Sequence, residues 1–195
     1  MNPYSSLRQE AIDNDVPIIQ DEGLAFLLKL LNDNEQIINV LEVGTAIGYS
    51  ALEMANVRDN IKIDTIEKNI YRYSEAKKNI QKYNKENQIS LFNMDAIDFV
   101  SNKTYDLFFI DGPKAQYRNH FEHFKQYSHI SSFFLFDNLA FHGLVQNPEL
   151  TNNKHTIQLV KKIKDFIDYL YIQEDYTVNY YPELGDGIAL VYRLR

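Results

Sequence analysis

The stretch VLEVGTAIGYSALEMA, residues 40–55, decides the fold class of this chain. It contains the end of an apolar run from Ile37 to Val43, which predicts a buried strand that ends at Gly44. The residues after this glycine predict a helix over 46–56. A strand, a glycine turn and a helix in this order form the repeating unit of α/β proteins, which bind ligands at the carboxyl ends of their strands.

The same unit recurs along the chain. Apolar runs predict further strands over residues 61–67, 89–93, 105–111 and 132–137. Helical patterns alternate with these runs over residues 69–84, 96–101, 115–127 and 154–171. The alternation implies right-handed crossovers and a mainly parallel sheet that is covered on both faces.

The C-terminal part breaks this alternation. Two β-rich runs flank the turn at residues 184–187, which predicts an antiparallel hairpin at one side of the sheet. The predicted fold class is therefore α/β: a Rossmann-like, mostly parallel seven-stranded sheet with a C-terminal antiparallel hairpin and helices on both faces.

Length and composition narrow the class further. The chain has 195 residues, a net charge of −7 and no cysteine, which excludes disulfide frameworks, Cys-ligated zinc, iron–sulfur clusters and thiol nucleophiles. We expect one domain over 1–195, with an N-terminal helical cap (1–35, including a helix over 22–32) and a Rossmann-like core (36–195). We also expect a cytoplasmic protein without membrane association, since the sequence lacks a signal-peptide pattern and any apolar run near the ~18 residues of a membrane span.

The glycine turn is a candidate cofactor site. Gly44 and Gly48 have GxxxG spacing and not the GxGxxG of dinucleotide-binding proteins, which favours an adenosine ligand without phosphates. Glu67 ends the second strand, where a carboxylate can accept hydrogen bonds from both ribose hydroxyls, and Asp95 would lie beside the adenine. Because two glycines and a later acidic residue also arise by chance, a purely structural turn stays open.

A second group of polar residues ends strands four and five. Asp111, Asp137 and Asn138 would meet at neighbouring central strands and supply the oxygen ligands that Mg²⁺ prefers. Lys114 could then reach a substrate hydroxyl as a base or as a charge partner. Helix or turn capping by the aspartates, and a solvated lysine, are the structural alternatives.

Four segments, VLEVGTAIGYSAL, IDTIEKN, YDLFFIDGPKAQY and FDNLAFHG, resemble the metal-dependent class I O-methyltransferases of the catechol and caffeoyl-CoA type. The resemblance extends from about residue 16 to 193 and implies the class I methyltransferase fold. Within this family, the VPII entry, the KxQY motif after the aspartate and the GDG turn look most like the bacterial tRNA 5-hydroxyuridine methyltransferases. The cofactors implied are S-adenosylmethionine and Mg²⁺ or another divalent cation.

The resemblance also implies roles for individual residues. The methionine part of S-adenosylmethionine would be held by residues of the first strand and its turn: Glu42, Gly44, Thr45, Gly48 and Ser50. Glu67 would bind the ribose, and Asp95 with Ala96 the adenine region. Asp111, Asp137 and Asn138 match the metal ligands, with Asp111 also at the cofactor, and the catalytic residues would be Asp111 and the general base Lys114. Tyr117 falls in the same motif without an assigned role.

Several substrates and functions fit these observations. The resemblance implies 5-hydroxyuridine in tRNA, supported by basic residues on two predicted helices: Arg72, Lys77, Lys78, Lys82, Lys154, Lys161, Lys162 and Lys164. The net charge of −7 opposes it, and a small phenolic or catechol substrate is the alternative. A non-catalytic cofactor-binding module and an NAD-dependent oxidoreductase fit less well. The resemblance further implies a homodimer.

A few residues near the predicted site depart from the family pattern or lie outside its motifs. Gly112 and Pro113 replace the small or aromatic residues common after the aspartate, and Met94 stands where a glycine is usual. His120 and His123 are predicted to lie at the helix surface. Phe141 and His142 are candidates for the substrate mouth.

Overall fold

The computed structural model describes residues 3–195, in which helices cover both faces of a seven-stranded sheet. The helices are α1 (Ser5–Asp13), α2 (Asp21–Asp33), α3 (Tyr49–Ala55), α4 (Ile70–Lys82), α5 (Tyr117–Phe124) and α6 (Lys154–Tyr171). The strands are β1 (Asn39–Val43), β2 (Lys62–Ile66), β3 (Ile89–Phe92), β4 (Tyr105–Ile110), β5 (Ser128–Phe136), β6 (Tyr176–Tyr181) and β7 (Ile188–Arg193). Short 3₁₀ turns occupy Ala96–Asp98, Lys114–Gln116, Lys125–Tyr127 and Pro148–Leu150.

The strand order is β3-β2-β1-β4-β5-β7-β6. Strands β1 to β5 pair in parallel, whereas β7 runs antiparallel to both β5 and β6. The predicted fold class is therefore confirmed, including the C-terminal hairpin. The strand order reverses between β1 and β4, and such a reversal opens a ligand-binding crevice at the carboxyl ends of the strands.

Two apolar clusters hold the layers together, one on each face of the sheet. Alternate residues of the central strand β4 serve both clusters: Leu107 and Phe109 face the side of α1, α2 and α3, and Phe108 and Ile110 face the side of α5 and α6. All four side chains are fully buried. Burial on both faces explains why this strand is a continuous apolar run in the sequence.

The structure corrects several predicted boundaries. The helix expected over 46–56 begins only at Tyr49, because Ala46 and Gly48 have positive φ angles that no helix accommodates. Of the helix expected over 96–101, only a 3₁₀ turn at Ala96–Asp98 is present, and the fifth strand starts at Ser128, four residues before the predicted start. The other predicted helices are placed within three residues at each end, although 3₁₀ turns replace both ends of the one expected over 115–127.

The N-terminal segment contains two helices. α2 matches the predicted leucine-rich helix, and α1 had no separate prediction within the expected cap. Arg8 of α1 pairs with Asp21 of α2 at 2.7 Å, and Leu7 and Leu27 are buried in the same cluster. Between residues 3 and 195, no helix combines the length and the apolar character that crossing a membrane would require.

Candidate active site

A cleft of about 620 Å³ opens at the carboxyl ends of the parallel strands. It brings together residues from the ends of β1, β2, β4 and β5, together with the turn after β3. Of the predicted site residues, those that line it are Gly44, Glu67, Asp95, Ala96, Asp111, Lys114 and Asn138. Part of the candidate cofactor site therefore shares one cleft with two candidate metal ligands, Asp111 and Asn138, whereas the third, Asp137, is not a lining residue.

The turn after β1 approaches the neighbouring strand end very closely. Gly44 has a φ angle of +100°, and a Cβ atom at this position would lie 2.4 Å from the main-chain oxygen of Asp111. Gly48, with a φ angle of +88°, precedes the first residue of α3. The turn therefore requires glycine at position 44 both for its backbone conformation and for its contact with the β4 end.

Glu42 lies beneath this turn and not on the cleft wall. Its fully buried carboxylate accepts hydrogen bonds from Ser50 Oγ at 2.5 Å and from Thr65 Oγ1, and the latter hydroxyl also contacts Thr45 Oγ1 at 2.5 Å. Burial raises the pKa of Glu42 to about 7, although the two hydroxyl groups oppose the shift. Four of the predicted cofactor residues are buried and do not line the cleft: Glu42, Thr45, Gly48 and Ser50. In this structure they stabilise the turn and do not form the cleft surface.

Replacing Glu42 by Gln should change how stability depends on pH. A carboxyl group with a raised pKa in the folded state binds more protons there than in the unfolded chain, so the unfolding free energy of the wild type falls as pH rises from about 4.5 to 7. Between pH 4.5 and 7, the unfolding free energy of E42Q should therefore gain up to about 3 kcal/mol relative to that of the wild type. Urea unfolding at pH 4.5, 6 and 7.5 measures the shift, and a pH-independent difference would contradict it.

Glu67 and Asp95 form the opposite end of the cleft. The Glu67 carboxylate accepts hydrogen bonds from the main-chain N of Ala46 at 3.0 Å and of Asn69 at 2.7 Å. Asp95 accepts a hydrogen bond from Lys68 Nζ at 2.7 Å and one from the Ile97 amide at 3.2 Å, and the pKa of Asp95 is lowered chiefly by Lys68. Fixed carboxylates at the ends of adjacent strands suit a ligand that carries a vicinal diol and an amino group.

Three polar groups meet where β4 and β5 end. Asn138 Nδ2 donates to Asp111 Oδ1 at 3.0 Å, and the main-chain N of Asn138 donates to Asp137 Oδ1 at 2.8 Å. Asp137 is buried, and Asp111 keeps some exposure to the cleft. Burial raises the pKa of both carboxyl groups, the charge of Asp137 raises that of Asp111 further, and nearby Lys114 lowers both.

This donor set fits a divalent cation of the Mg²⁺ type. Neither Asp111 nor Asp137 has an ion-pair partner within 4 Å among residues 3–195, so the negative charge between them lacks a direct counter-charge. Among residues 3–195, no three or more His, Cys, Asp or Glu side chains lie close enough together to hold a metal ion by themselves. The candidate site therefore needs the amide oxygen of Asn138 as its third ligand, which requires the amide to rotate from its present contact.

The loop after β5 holds Asn138 in a constrained conformation. Asn138, Phe141 and His142 all have positive φ angles, which are rare for residues with side chains. The buried Asp186, in the hairpin turn, accepts a hydrogen bond from the main-chain N of His142 at 2.5 Å. Asp186 also lines the cleft, which the sequence did not predict. The available signal was the GDG turn, in which Gly187 has a positive φ angle and places Asp186 at a tight turn. As expected, Phe141 and His142 lie at the cleft.

The prediction for His120 is wrong, because its side chain is only 2% exposed and lines the cleft. The buried side chains of α5 are Tyr117, His120, Phe121 and Phe124, whose spacing is that of one helix face. This apolar stripe was the signal that places His120 inside. His123 is partly buried, and its Nε2 lies 2.9 Å from the main-chain oxygen of Phe99.

The reversed strand order, the carboxylate after β2 and the oxygen donors after β4 and β5 together define the class of Rossmann-like methyltransferases. Residues 5–194 match the O-methyltransferase family, and the chain belongs to this family of S-adenosylmethionine-dependent enzymes. The predicted family, O-methyltransferases of the catechol and caffeoyl-CoA type, and the predicted enzyme class are thereby confirmed.

Several members of the family are similar to this chain. A "probable caffeoyl-CoA O-methyltransferase" of Arabidopsis thaliana is 26% identical over 88% of this chain and 75% of its own length. A catechol O-methyltransferase of Niastella koreensis is 29% identical, over 64% of this chain and 59% of its own length. The crystal structure of a "putative caffeoyl-CoA O-methyltransferase" from Staphylococcus aureus is 33% identical, with a TM-score of 0.94 over 99% of this chain and 93% of that one.

A more distant structure shares the fold. The O-methyltransferase of Bacillus cereus, solved in complex with S-adenosylhomocysteine, is 20% identical with a TM-score of 0.82, over 96% of this chain and 89% of that one.

Proposed function

We propose that this protein methylates the 5-hydroxyl group of 5-hydroxyuridine at the wobble position of tRNA, and so forms 5-methoxyuridine. S-adenosylmethionine would be the methyl donor, and Mg²⁺ or another divalent cation would assist. The observation that carries the proposal is the single cleft in which Glu67 and Asp95 lie at one end and Asp111, Lys114 and Asn138 at the other. One cleft of this kind can hold the cofactor and the acceptor side by side.

The cofactor end follows from the fixed carboxylates. Glu67, held by two main-chain amides, would accept hydrogen bonds from the ribose hydroxyls, and Asp95 with Ala96 would lie against the adenine. The methionine part would extend over Gly44 toward Asp111. The complex of the Bacillus cereus enzyme with S-adenosylhomocysteine supports this choice of ligand, since that enzyme shares the fold.

The reaction end needs a deprotonated oxygen nucleophile. When bound, the cofactor supplies a sulfonium methyl group and the cation lowers the pKa of the substrate hydroxyl group. To act as the base, Lys114 would first release its own proton to solvent; its neutral Nζ would then accept the proton of that hydroxyl, and the methyl group would move from sulfur to the resulting substrate oxyanion as the carbon–sulfur bond breaks. Asp111, Asp137 and Asn138 would hold the cation, and the cleft would position the substrate hydroxyl against the methyl donor, which would supply most of the rate enhancement.

The substrate choice rests on chemistry and on basic side chains. A 5-hydroxyuridine carries a hydroxyl group next to the O4 carbonyl, a chelating pair like that of a catechol. Arg72 of α4 lines the cleft, and further lysines lie on α4 and α6, although Lys78 and Lys161 are paired with acidic neighbours. A small catechol or phenolic substrate is the second candidate, favoured by the names of the Arabidopsis and Niastella relatives and by the net charge of −7.

The two substrate candidates predict opposite responses to salt. Methylation of tRNA should fall about ten-fold or more between 50 and 200 mM KCl, because each phosphate contact releases counterions. Methylation of a neutral catechol should change little over the same range. Initial rates with tRNA that carries 5-hydroxyuridine at the wobble position, and with catechol, measure both. Salt-independent turnover of tRNA would contradict the proposed docking.

Nucleoside analysis gives the decisive comparison in cells. A strain that lacks the gene should lose 5-methoxyuridine from its tRNA and accumulate 5-hydroxyuridine, and the wild-type gene should restore the modification. Unchanged 5-methoxyuridine would favour the small-molecule alternative.

Homodimer formation and a cytoplasmic location stay predictions. Size-exclusion chromatography with light scattering would test the first, and cell fractionation the second.

A further inference from the structure

The buried imidazole of His120 has a polar atom without a partner. His120 is 2% exposed, and its Nδ1 is sealed inside the protein without any hydrogen bond to the described residues. Within residues 3–195, only one other buried side-chain atom, Nε of Arg58, shares this condition. Buried polar atoms are nearly always hydrogen-bonded in folded proteins, so this atom calls for a partner other than the described residues, either a ligand or an ordered water.

The surroundings of His120 place that partner in the cleft. Its imidazole lies directly behind Gly112: a Cβ atom on Gly112 would come within 3.4 Å of Cε1 of His120 and 3.1 Å of Cγ1 of Val43. A side chain at position 112 would therefore press on Val43 and stand in van der Waals contact with the ring. The missing side chain therefore leaves the imidazole as part of the cleft wall, where His120 and Gly112 are both lining residues.

The ring is neutral at pH 7 and can both donate and accept. Burial lowers the pKa of His120 to about 4, and the charge of Asp95 opposes this shift only in part. A neutral imidazole has one N–H group and one free lone pair, which matches the edge of a purine, where ring nitrogens accept and an exocyclic amine donates. Asp95 and Ala96, at the proposed adenine end, line the same cleft.

We propose that His120 is a binding residue for the adenine ring of the cofactor, which it contacts through the gap left by Gly112 and to which Nδ1 makes its missing hydrogen bond. This inference rests on the proposed function, since it requires S-adenosylmethionine as the ligand. It assigns to α5 a part of the cofactor site that otherwise consists of residues at the ends of β1 to β4. Because Nδ1 is enclosed, the contact requires the imidazole to turn about its Cβ–Cγ bond so that Nδ1 faces the cleft.

Calorimetric binding of S-adenosylhomocysteine and of 5′-methylthioadenosine tests the inference. H120F keeps an aromatic ring and removes the hydrogen bond, so it should weaken both ligands by about ten-fold. H120N places an amide near the position of Nδ1 and should recover most of the affinity. The matched control is H123F on the same helix, since His123 does not line the cleft, and its affinity should equal that of the wild type.

Each result decides the inference. H120F with wild-type affinity, or an equal loss in H120F and H123F, would overturn it. If H120F does not fold, G112A gives the second measurement, because its Cβ atom narrows the gap in front of the imidazole: weaker binding of both ligands supports the contact, and unchanged binding overturns it. A wild-type protein that binds neither ligand would overturn the proposed function and this inference with it.

Discussion

Replacing Asp137 by Asn should abolish methyl transfer and leave the metal-free protein at least as stable as the wild type. The substitution keeps an oxygen that can accept the hydrogen bond from the main-chain N of Asn138, which lies 2.8 Å from Oδ1 of Asp137, but it removes the charge of this buried carboxylate. Without that charge the candidate site keeps only a neutral amide oxygen at this position and loses most of its attraction for a divalent cation. We expect kcat to fall about 100-fold or more.

The stability result follows from the sign of the pKa shifts. Asp111 and Asp137 have raised pKa values in the folded protein, so their ionisation destabilises the metal-free fold as pH rises above the unfolded pKa near 4. Removing one charge relieves both the burial of that charge and its repulsion of the other. At pH 8 in a chelator, the unfolding free energy of D137N should therefore equal or exceed that of the wild type.

Asp64 provides the matched control for D137N. Like Asp137 it is a buried carboxylate, 5% exposed in β2, but it has its own partners, Lys103 Nζ at 2.9 Å and Tyr105 OH at 2.6 Å. D64N should lose about 1–3 kcal/mol of stability and keep both Mg²⁺ binding and turnover. Urea unfolding, Mg²⁺ titration and steady-state kinetics with and without a chelator measure the contrast. Wild-type activity in a chelator, or full activity in D137N, would exclude the metal-assisted reaction.

The features that the sequence predicted correctly are those with a strong local signal. Strand β4 is an unbroken apolar run because both of its faces are buried, and this run ends at Asp111, which lines the cleft. Glu67 was predicted at a strand end in the same way, and the parallel register of β1 and β2 places it at the cleft. Residues that directly follow a strand can be assigned to the site once the sheet is known to be parallel.

The features that the sequence did not predict depend on contacts between distant segments. Asp186 reaches the site only because the hairpin turn packs on the loop after β5, which contains His142. His120 is buried because it shares a face of α5 with Tyr117, Phe121 and Phe124, and that face packs against the sheet. The late start of α3 follows from the positive φ angle of Ala46, a residue type that carries no signal for that conformation.

The contact between the first turn and the β4 end is equally non-local, and two glycines allow it to be tested. Gly44 and Gly48 both have positive φ angles, +100° and +88°, so alanine at either position is strained. Their surroundings differ: the Cβ atom of an alanine at position 44 would lie 2.4 Å from the main-chain oxygen of Asp111, whereas at position 48 the nearest atoms, those of Ala76, are 3.6 Å away. Only the first substitution forces two strand ends apart.

G44A should therefore lower the unfolding free energy by about 3 kcal/mol or more, since steric overlap adds to backbone strain, and G48A by about 1–2 kcal/mol from strain alone. Because the displaced carbonyl belongs to Asp111, G44A should also lose binding of S-adenosylhomocysteine and of Mg²⁺ under conditions in which G48A, still folded, keeps its Mg²⁺ binding. Urea unfolding and calorimetry on both variants measure these effects. Equal losses at the two positions would mean that backbone strain alone, and not the contact with β4, requires glycine in this turn.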